Sequence, residues 1–393
     1  MRIIPTFLFF IFIGPLLNAQ SLKGRVTDAA TGLPLAGCSV FISGTSSGTT
    51  TAVDGSFQLS QYPRGKYELV VSYVGYNTYV LPLSDRISDP LQIRLEMKST
   101  ELEKVVVETY LEQGWDRWGR VFLDNFIGMV PHADQCRILN TDAIRFRYYR
   151  KSNRLRAFSR EPIEMVNDAL GYKVRFQLED FELDFNAKSV FYLGYSYYEE
   201  LKGKSMKRKQ ENRRKAYDGS VLHFMRALYD NRLQEEGFEV RRMIRLPNLE
   251  KQRVNAVYRA LTEAGRPAAL PADSAVYYRK LMAQPDFTEL LGKDMLSADS
   301  LVRDMGDGLL ELSFSNHLLV TYKKAKEENA YLIDMRESRK PSFRRSVVTL
   351  VEGNKIIVDS FGNYFNPRDF LTTGYWAWSE KLANALPLDY KRE

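Results

Sequence analysis

The sequence predicts a multi-domain protein in which a seven-stranded all-β sandwich precedes an α+β region with a mostly antiparallel sheet. Short alternating segments punctuated by Gly, Pro and Asp run from Leu22 to about Met97. Helical spacing of apolar residues first appears at Trp115, and from there helix-like and strand-like patterns interleave. A chain of 393 residues, 44% hydrophobic and 27% charged, is also long enough for two or three ordinary domains.

Composition narrows the function classes. Lys and Arg number 56 against 49 Asp and Glu, a surplus too thin to announce nucleic-acid binding. Two cysteines exclude a disulfide scaffold and a four-cysteine zinc module. The three histidines, His132, His223 and His317, are too far apart for a local metal motif, so no metal or cofactor is expected.

The elements follow in order. Residues 1–19 combine Arg2, an apolar run from Ile3 to Leu17 and Ala19 before Gln20, the pattern of a cleaved secretory signal. The run is short and broken by Pro5 and Pro15, which argues against a spanning anchor, and no later stretch is long enough to be one. The mature chain is therefore expected to be exported, to the periplasm or in association with the outer membrane. Candidate strands of the sandwich, residues 20–97, are Leu22–Thr27, Cys38–Ile42, Gly48–Val53, Ser56–Ser60, Lys66–Val74, Thr78–Leu83 and Leu91–Met97. Asp54-Gly55 between two alternating runs predicts a hairpin, because Gly tolerates the positive φ of a tight turn.

The motifs of this stretch are Lys23-Gly24-Arg25-Val26-Thr27-Asp28, Gly32-Leu33-Pro34-Leu35-Ala36-Gly37, Val40-Phe41-Ile42, Asp54-Gly55-Ser56-Phe57 and Tyr73-Val74-Gly75-Tyr76. In this order they resemble the carboxypeptidase regulatory-like domain of Bacteroidetes exported proteins, which implies a prealbumin-like sandwich serving as an accessory module. The resemblance carries no peptidase chemistry. A zinc carboxypeptidase needs a His and a Glu close together on one segment, and none of the three histidines has a Glu three positions on. The same module also opens TonB-dependent receptors, where a valine-rich segment follows it. Here that segment resembles Val105, Val106 and Val107 in the 98–112 linker, read either as a strand that adds to a partner's sheet edge or as an ordinary strand. The rest departs from a receptor, lacking the evenly spaced strands of a large barrel.

The α+β region is expected over residues 113–393. Trp115, Trp118, Phe122, Phe126 and Met129 form the stripe of an amphipathic helix closed by Pro131, a pattern that usually marks core. From Cys136 to Glu200 the pattern is that of an antiparallel meander, with Arg145, Arg147, Lys173 and Arg175 on a solvated face. Lys202–Lys215 is the densest charge run and reads as a basic loop. If it binds anything, Lys207, Arg208, Lys209, Arg213, Arg214 and Lys215 suit an acidic glycan or another anionic surface. Ser220, His223 and Asp218 suggest a triad but lie on one segment, so Ser220 is read as the N-cap of the helix it opens, which ends near Gly237. Asp273 caps a helix over Ser274–Met282. Strands are expected at Leu309–Phe314, His317–Tyr322 and Tyr331–Met335, and Gly353-Asn354 is expected to turn a hairpin between Ser346–Glu352 and Lys355–Ser360. A short aromatic helix begins at Gly374, and Pro387 stops it. The stretch Glu161-Pro162-Ile163-Glu164-Met165-Val166-Asn167-Asp168-Ala169-Leu170-Gly171-Tyr172 and the segment Leu386-Pro387-Leu388-Asp389-Tyr390 resemble those of uncharacterised Bacteroidetes exported proteins of this layout, a resemblance that brings no known activity. Cys38 and Cys136 are read as two buried thiols, with a disulfide as the alternative.

The function expected from these residues is that of a non-enzymatic cell-envelope protein that binds or assembles, with an envelope or outer-membrane protein or an anionic glycan as partner and no nucleic acid. The rival is an envelope hydrolase acting on peptide or glycan, for which Glu179, Asp180 and Glu182 would supply paired carboxylates.

Overall fold

The computed structural model describes residues 20–62, 66–83, 90–98, 110–203, 205–263 and 272–392. Residues 1–19, expected to be a signal, and Val105–Val107 lie outside them. The described residues fall into two compact units, one within Met1–Ile42 and Ser47–Lys98, the other within Ser43–Ser46 and Ser99–Glu393.

All seven expected strands of the first unit form: β1 (Gln20–Asp28), β2 (Ser39–Ile42), β3 (Gly48–Thr50), β4 (Ser56–Tyr62), β5 (Glu68–Ser72), β6 (Tyr79–Pro82) and β7 (Leu91–Leu95). They make two sheets, ordered β4-β1-β7 and β3-β2-β5-β6, and β1 with β7 is the parallel pair. Alternation sets the faces. In β7, Leu91, Ile93 and Leu95 are buried while Gln92 and Arg94 are exposed. Each such buried aliphatic contributes about 1.5–3 kcal/mol. The Asp28 carboxylate ties distant motifs together: it accepts the Ala30 and Thr31 N–H groups, and the Tyr76 hydroxyl at 2.7 Å. The Thr31 N–H, followed by the Tyr76 hydroxyl, holds its pKa down to about 2.

In the second unit, α1 (Trp115–Phe126) lays the expected stripe into the core, with Phe122 and Phe126 fully buried. A seven-stranded antiparallel sheet holds β8 (Tyr110–Gln113), β9 (Cys136–Ile138), β10 (Ile144–Tyr149), β11 (Arg154–Ser159), β12 (Ile163–Asn167), β13 (Tyr172–Asp184) and β14 (Ser189–Glu200). The long β13 pairs with β14 along its length and with both β11 and β12. Then come α2 (Met206–Tyr217), α3 (Val221–Tyr229), β15 (Phe238–Pro247), α4 (Leu249–Glu263), α5 (Ala272–Met282), β16 (Phe287–Met295), β17 (Val302–Gly306), β18 (Leu309–Leu312), β19 (His317–Lys326), α6 (Asn329–Asp334), β20 (Phe343–Leu350), β21 (Ile356–Asp359), β22 (Tyr364–Phe365), β23 (Phe370–Gly374) and α7 (Tyr375–Ser379). Two further antiparallel sheets result, ordered β16-β15-β19-β20-β23 and β17-β18-β21-β22. One hydrophobic core joins all three sheets. No helix among the described residues is long and apolar enough to cross a membrane.

Several expectations are corrected. Lys202–Lys215 is largely helix α2 rather than a loop: Lys, Arg, Gln and Glu are good helix formers, but the run has no apolar period to announce it. Tyr331–Met335 is the end of helix α6, too short for its period to distinguish it from a strand. The helix opened by Ser220 stops at Tyr229, and Gly237 instead leads into β15. Neither expected hairpin is a hairpin. Asp54-Gly55 joins β3 to β4 and Gly353-Asn354 joins β20 to β21, and in each case the two strands belong to different sheets. Cys38 and Cys136 are both free thiols, the first buried and the second partly so.

Candidate functional site

The described cavities of the second unit gather around α2, the start of α3 and the segment from α7 to Lys391. The turn Asp218-Gly219-Ser220 joins the two helices. Ser220 Oγ accepts the His223 N–H at 3.0 Å, so it is the N-cap of α3, as the sequence indicates. The His223 ring is fully engaged. Its Nδ1 accepts the Gly219 N–H at 3.1 Å, which leaves the proton on Nε2 for Glu236, also at 3.1 Å. Burial pulls the His223 pKa below its ordinary value, with Glu236 opposing. Neither ring nitrogen is left to act as base for Ser220.

The carboxylates on β13 are matched by arginines. Asp180 receives Arg156 at 3.1 Å and Arg368 at 2.5 Å, and Glu182 receives Arg154 at 3.4 Å and Arg156 at 3.8 Å. A bulge between Leu178 and Asp180 sets Glu179 out of register. The face read as solvated is also an ion-pair ladder, with Lys173 on Glu164 at 2.9 Å and Arg175 on Glu199 at 3.0 Å. Being part-exposed, each such pair is worth at most about 1 kcal/mol.

The basic run separates into roles once it is wound into α2. Arg213 turns inward: 7% exposed, it donates to Leu170 O at 2.7 Å, pairs with Glu200 at 2.6 Å and stacks 4.1 Å above the Tyr172 ring. Lys209 donates to Leu201 O at 3.3 Å, and Lys215 pairs with Glu211 at 2.7 Å. Arg208 is exposed. Lys207 and Arg214 line a groove of about 630 Å³ with Lys391, and the wall also carries Tyr172, Tyr390 and the carboxylates of Glu200, Glu211 and Asp389. Among the described residues none of these three cations has an ion-pair partner.

Two smaller spaces, about 250 and 180 Å³, share Ala216, Ser220, Glu380 and Asn384. At the first, Arg344 donates to Glu328 at 2.6 Å and to Asp218 O at 2.7 Å, and the Tyr375 hydroxyl donates to the other Glu328 oxygen. Glu380 keeps some accessible surface, yet protein packs densely round it. That burial pushes its pKa up to about 7, opposed by the Val221 N–H. Burial likewise lowers His132, whose Nδ1 lies 3.1 Å from Asn384 Oδ1. The Trp378 indole N–H is buried with no hydrogen-bond acceptor among the described residues. No cluster of three or more metal-ligating side chains exists among the described residues. Sequence reasoning did not anticipate Glu380, Tyr375 or Lys391, because they reach the site only through the fold.

A family model described as a CarboxypepD_reg-like domain matches residues 22–107. TonB-dependent receptor P39 of Formosa agariphila is 38% identical over 106 residues, covering 27% of this chain and 10% of the receptor. TonB-dependent receptor SusC of Bacteroides thetaiotaomicron is 37% identical over 101 residues, covering 26% of this chain and 9% of the receptor. This chain thus spans about a tenth of the length of the curated relatives it matches. A solved structure of a protein of unknown function from Bacteroides fragilis aligns over 85% of this chain and 91% of its own, at 12% identity and a TM-score of 0.16, a value that carries no argument. The seven strands, their motifs and this match agree: residues 22–107 are a CarboxypepD_reg-like domain, and the chain is a protein that carries one ahead of an α+β unit.

Proposed function

We propose that this is a non-enzymatic cell-envelope protein, exported with residues 1–19 removed, whose CarboxypepD_reg-like domain is an accessory module and whose α+β unit binds an anionic glycan. The observation that carries the reading is the groove beside α2, where Lys207, Arg214 and Lys391 stand without ion-pair partners among the described residues, while the carboxylates of the same wall are engaged, Glu200 by Arg213, Glu211 by Lys215 and Asp389 by Ser46. Cations hold sulfate, phosphate or carboxylate groups. Exposed charges of this kind are screened within about 10 Å at 0.1 M salt. The full chain should therefore be retained on immobilised heparin at low ionic strength and released by modest salt. Lys207→Glu with Arg214→Glu should abolish retention while leaving the fold intact by circular dichroism. No retention of the wild type at low salt would remove the reading. Val105–Val107 is the proposed strand that adds to an envelope partner, supported by the domain match running to residue 107. Equal partner recovery by wild type and Val106→Asp from envelope extracts would sink that part.

A further inference from the structure

We propose that the space of about 250 Å³ between α2, the Asp218-Gly219-Ser220 turn and α7 is a second binding site, built for one uncharged, hydroxyl-bearing ring of monosaccharide size. It does not depend on the anionic groove, whose Lys207, Arg214 and Lys391 take no part in its lining. The cations that do line it are engaged by the protein. Arg344 directs Nε to Lys326 O at 3.3 Å, Nη1 to Asp218 O at 2.7 Å and Nη2 to Glu328 at 2.6 Å. Lys215 is paired with Glu211 at 2.7 Å. An anion entering here would have to break one of these contacts to gain a counter-charge.

What the lining still offers is neutral hydrogen bonding. Trp378 is 5% exposed, and its indole N–H has no acceptor among the described residues. A buried donor left so costs about 1–3 kcal/mol, which a ligand oxygen would relieve. His132 offers the opposite function. Asn384 donates through Nδ2 to Ser379 O at 3.1 Å, which leaves its Oδ1 for His132 Nδ1, also at 3.1 Å. An amide oxygen only accepts, so the His132 proton sits on Nδ1 and Nε2 is an acceptor. Burial, which lowers the His132 pKa, keeps the ring neutral. The Glu380 carboxyl takes the Val221 N–H and has acceptor capacity to spare. One donor and two acceptors around one space call for a group that both accepts and donates, as a hydroxyl does. An ammonium ion would leave the Trp378 N–H orphaned, and an apolar ligand would leave all three groups so. The volume suits one sugar ring and falls below the roughly 300–1,000 Å³ of pockets for larger ligands.

Titration of the isotope-labelled full chain with glucose, galactose and N-acetylglucosamine tests this, read at the Trp378 indole N–H resonance, which Trp378→Phe identifies by its loss. At least one of these neutral sugars should move that resonance saturably. Glucuronate and glucosamine, charged rings of the same size, should bind about tenfold or more weakly. By calorimetry, Trp378→Phe and His132→Phe should each weaken the neutral sugar by about tenfold with an unchanged circular dichroism spectrum. Lys207→Glu with Arg214→Glu should bind it like the wild type. The site is overturned if none of the three neutral sugars moves the resonance up to tens of millimolar, if a charged ring binds as tightly, or if both single variants keep wild-type affinity. Heparin retention without sugar binding would overturn this site and leave the groove standing, and sugar binding without heparin retention would do the reverse.

Discussion

Lys207 and Arg213 stand six positions apart in one basic run and meet opposite environments, one facing open groove and the other packed against Tyr172 and Glu200. Arg213→Ala would leave the Leu170 carbonyl without a donor and Glu200 without its partner, while Gly171 O keeps the Leu201 N–H. A loss of about 2–3 kcal/mol, read by urea denaturation, is expected, against near-zero for Lys207→Ala. Glu380 gives a pH signature. Its pKa rises from an ordinary 4.5 to about 7 in the folded chain, so the folded state holds the proton more tightly. The stability it contributes is fully present below about 4.5 and is lost as pH rises through about 7. Asp359, pushed by burial from 3.8 to about 6, adds a slope of the same sign over a lower window. Glu380→Gln should flatten the fall in stability between pH 5 and 8 in thermal melts; an unchanged pH profile would count against a buried carboxyl there. Residue by residue, the sequence disclosed the capping role of Ser220, because a cap needs only local spacing. It did not disclose the inward turn of Arg213, which depends on β13 and β14 lying beneath α2.

At the level of elements, turn chemistry was legible and strand partnership was not. Gly55 and Gly353 both hold φ near +75°, as their Asp-Gly and Gly-Asn contexts suggest, yet each turn hands the chain from one sheet to another. The two glycines also differ in surroundings. A Cβ at Gly55 would lie 2.5 Å from Val26 O, while one at Gly353 meets nothing within 4 Å. Gly55→Ala should cost at least about 2 kcal/mol, seen as lost hydrogen-exchange protection in β1 and β4, and Gly353→Ala only about 1 kcal/mol of backbone strain. All seven sandwich strands could be read because alternation and turn residues coincide there. β15, α4 and β16 gave no usable signal, since much of their apolar surface is not turned into a core and so leaves no clean period.

Across the whole molecule, the second unit is held by one core. Phe126 packs on Phe122, Phe176 and Tyr192 and belongs to the same cluster as Phe238, Val348 and Val358, so three sheets share it. Phe126→Ala should cost about 3–5 kcal/mol and lower exchange protection in all three sheets together. Protection lost from the seven-stranded sheet alone would show that the sheets unfold separately. The core draws on both extremes of the unit: Leu382 and Ala383 donate their N–H groups to Phe126 O and Ile127 O, Asn167 reaches Ala383 O, and Arg226 holds the carbonyls of Leu388 and Tyr390. The end of α1, at Phe126 and Ile127, is therefore closed only when residues 376–390 are in place. Closure of this unit is an event of high contact order, so in the exported chain proposed above the core can be completed only after residues 376–390 have themselves crossed the membrane.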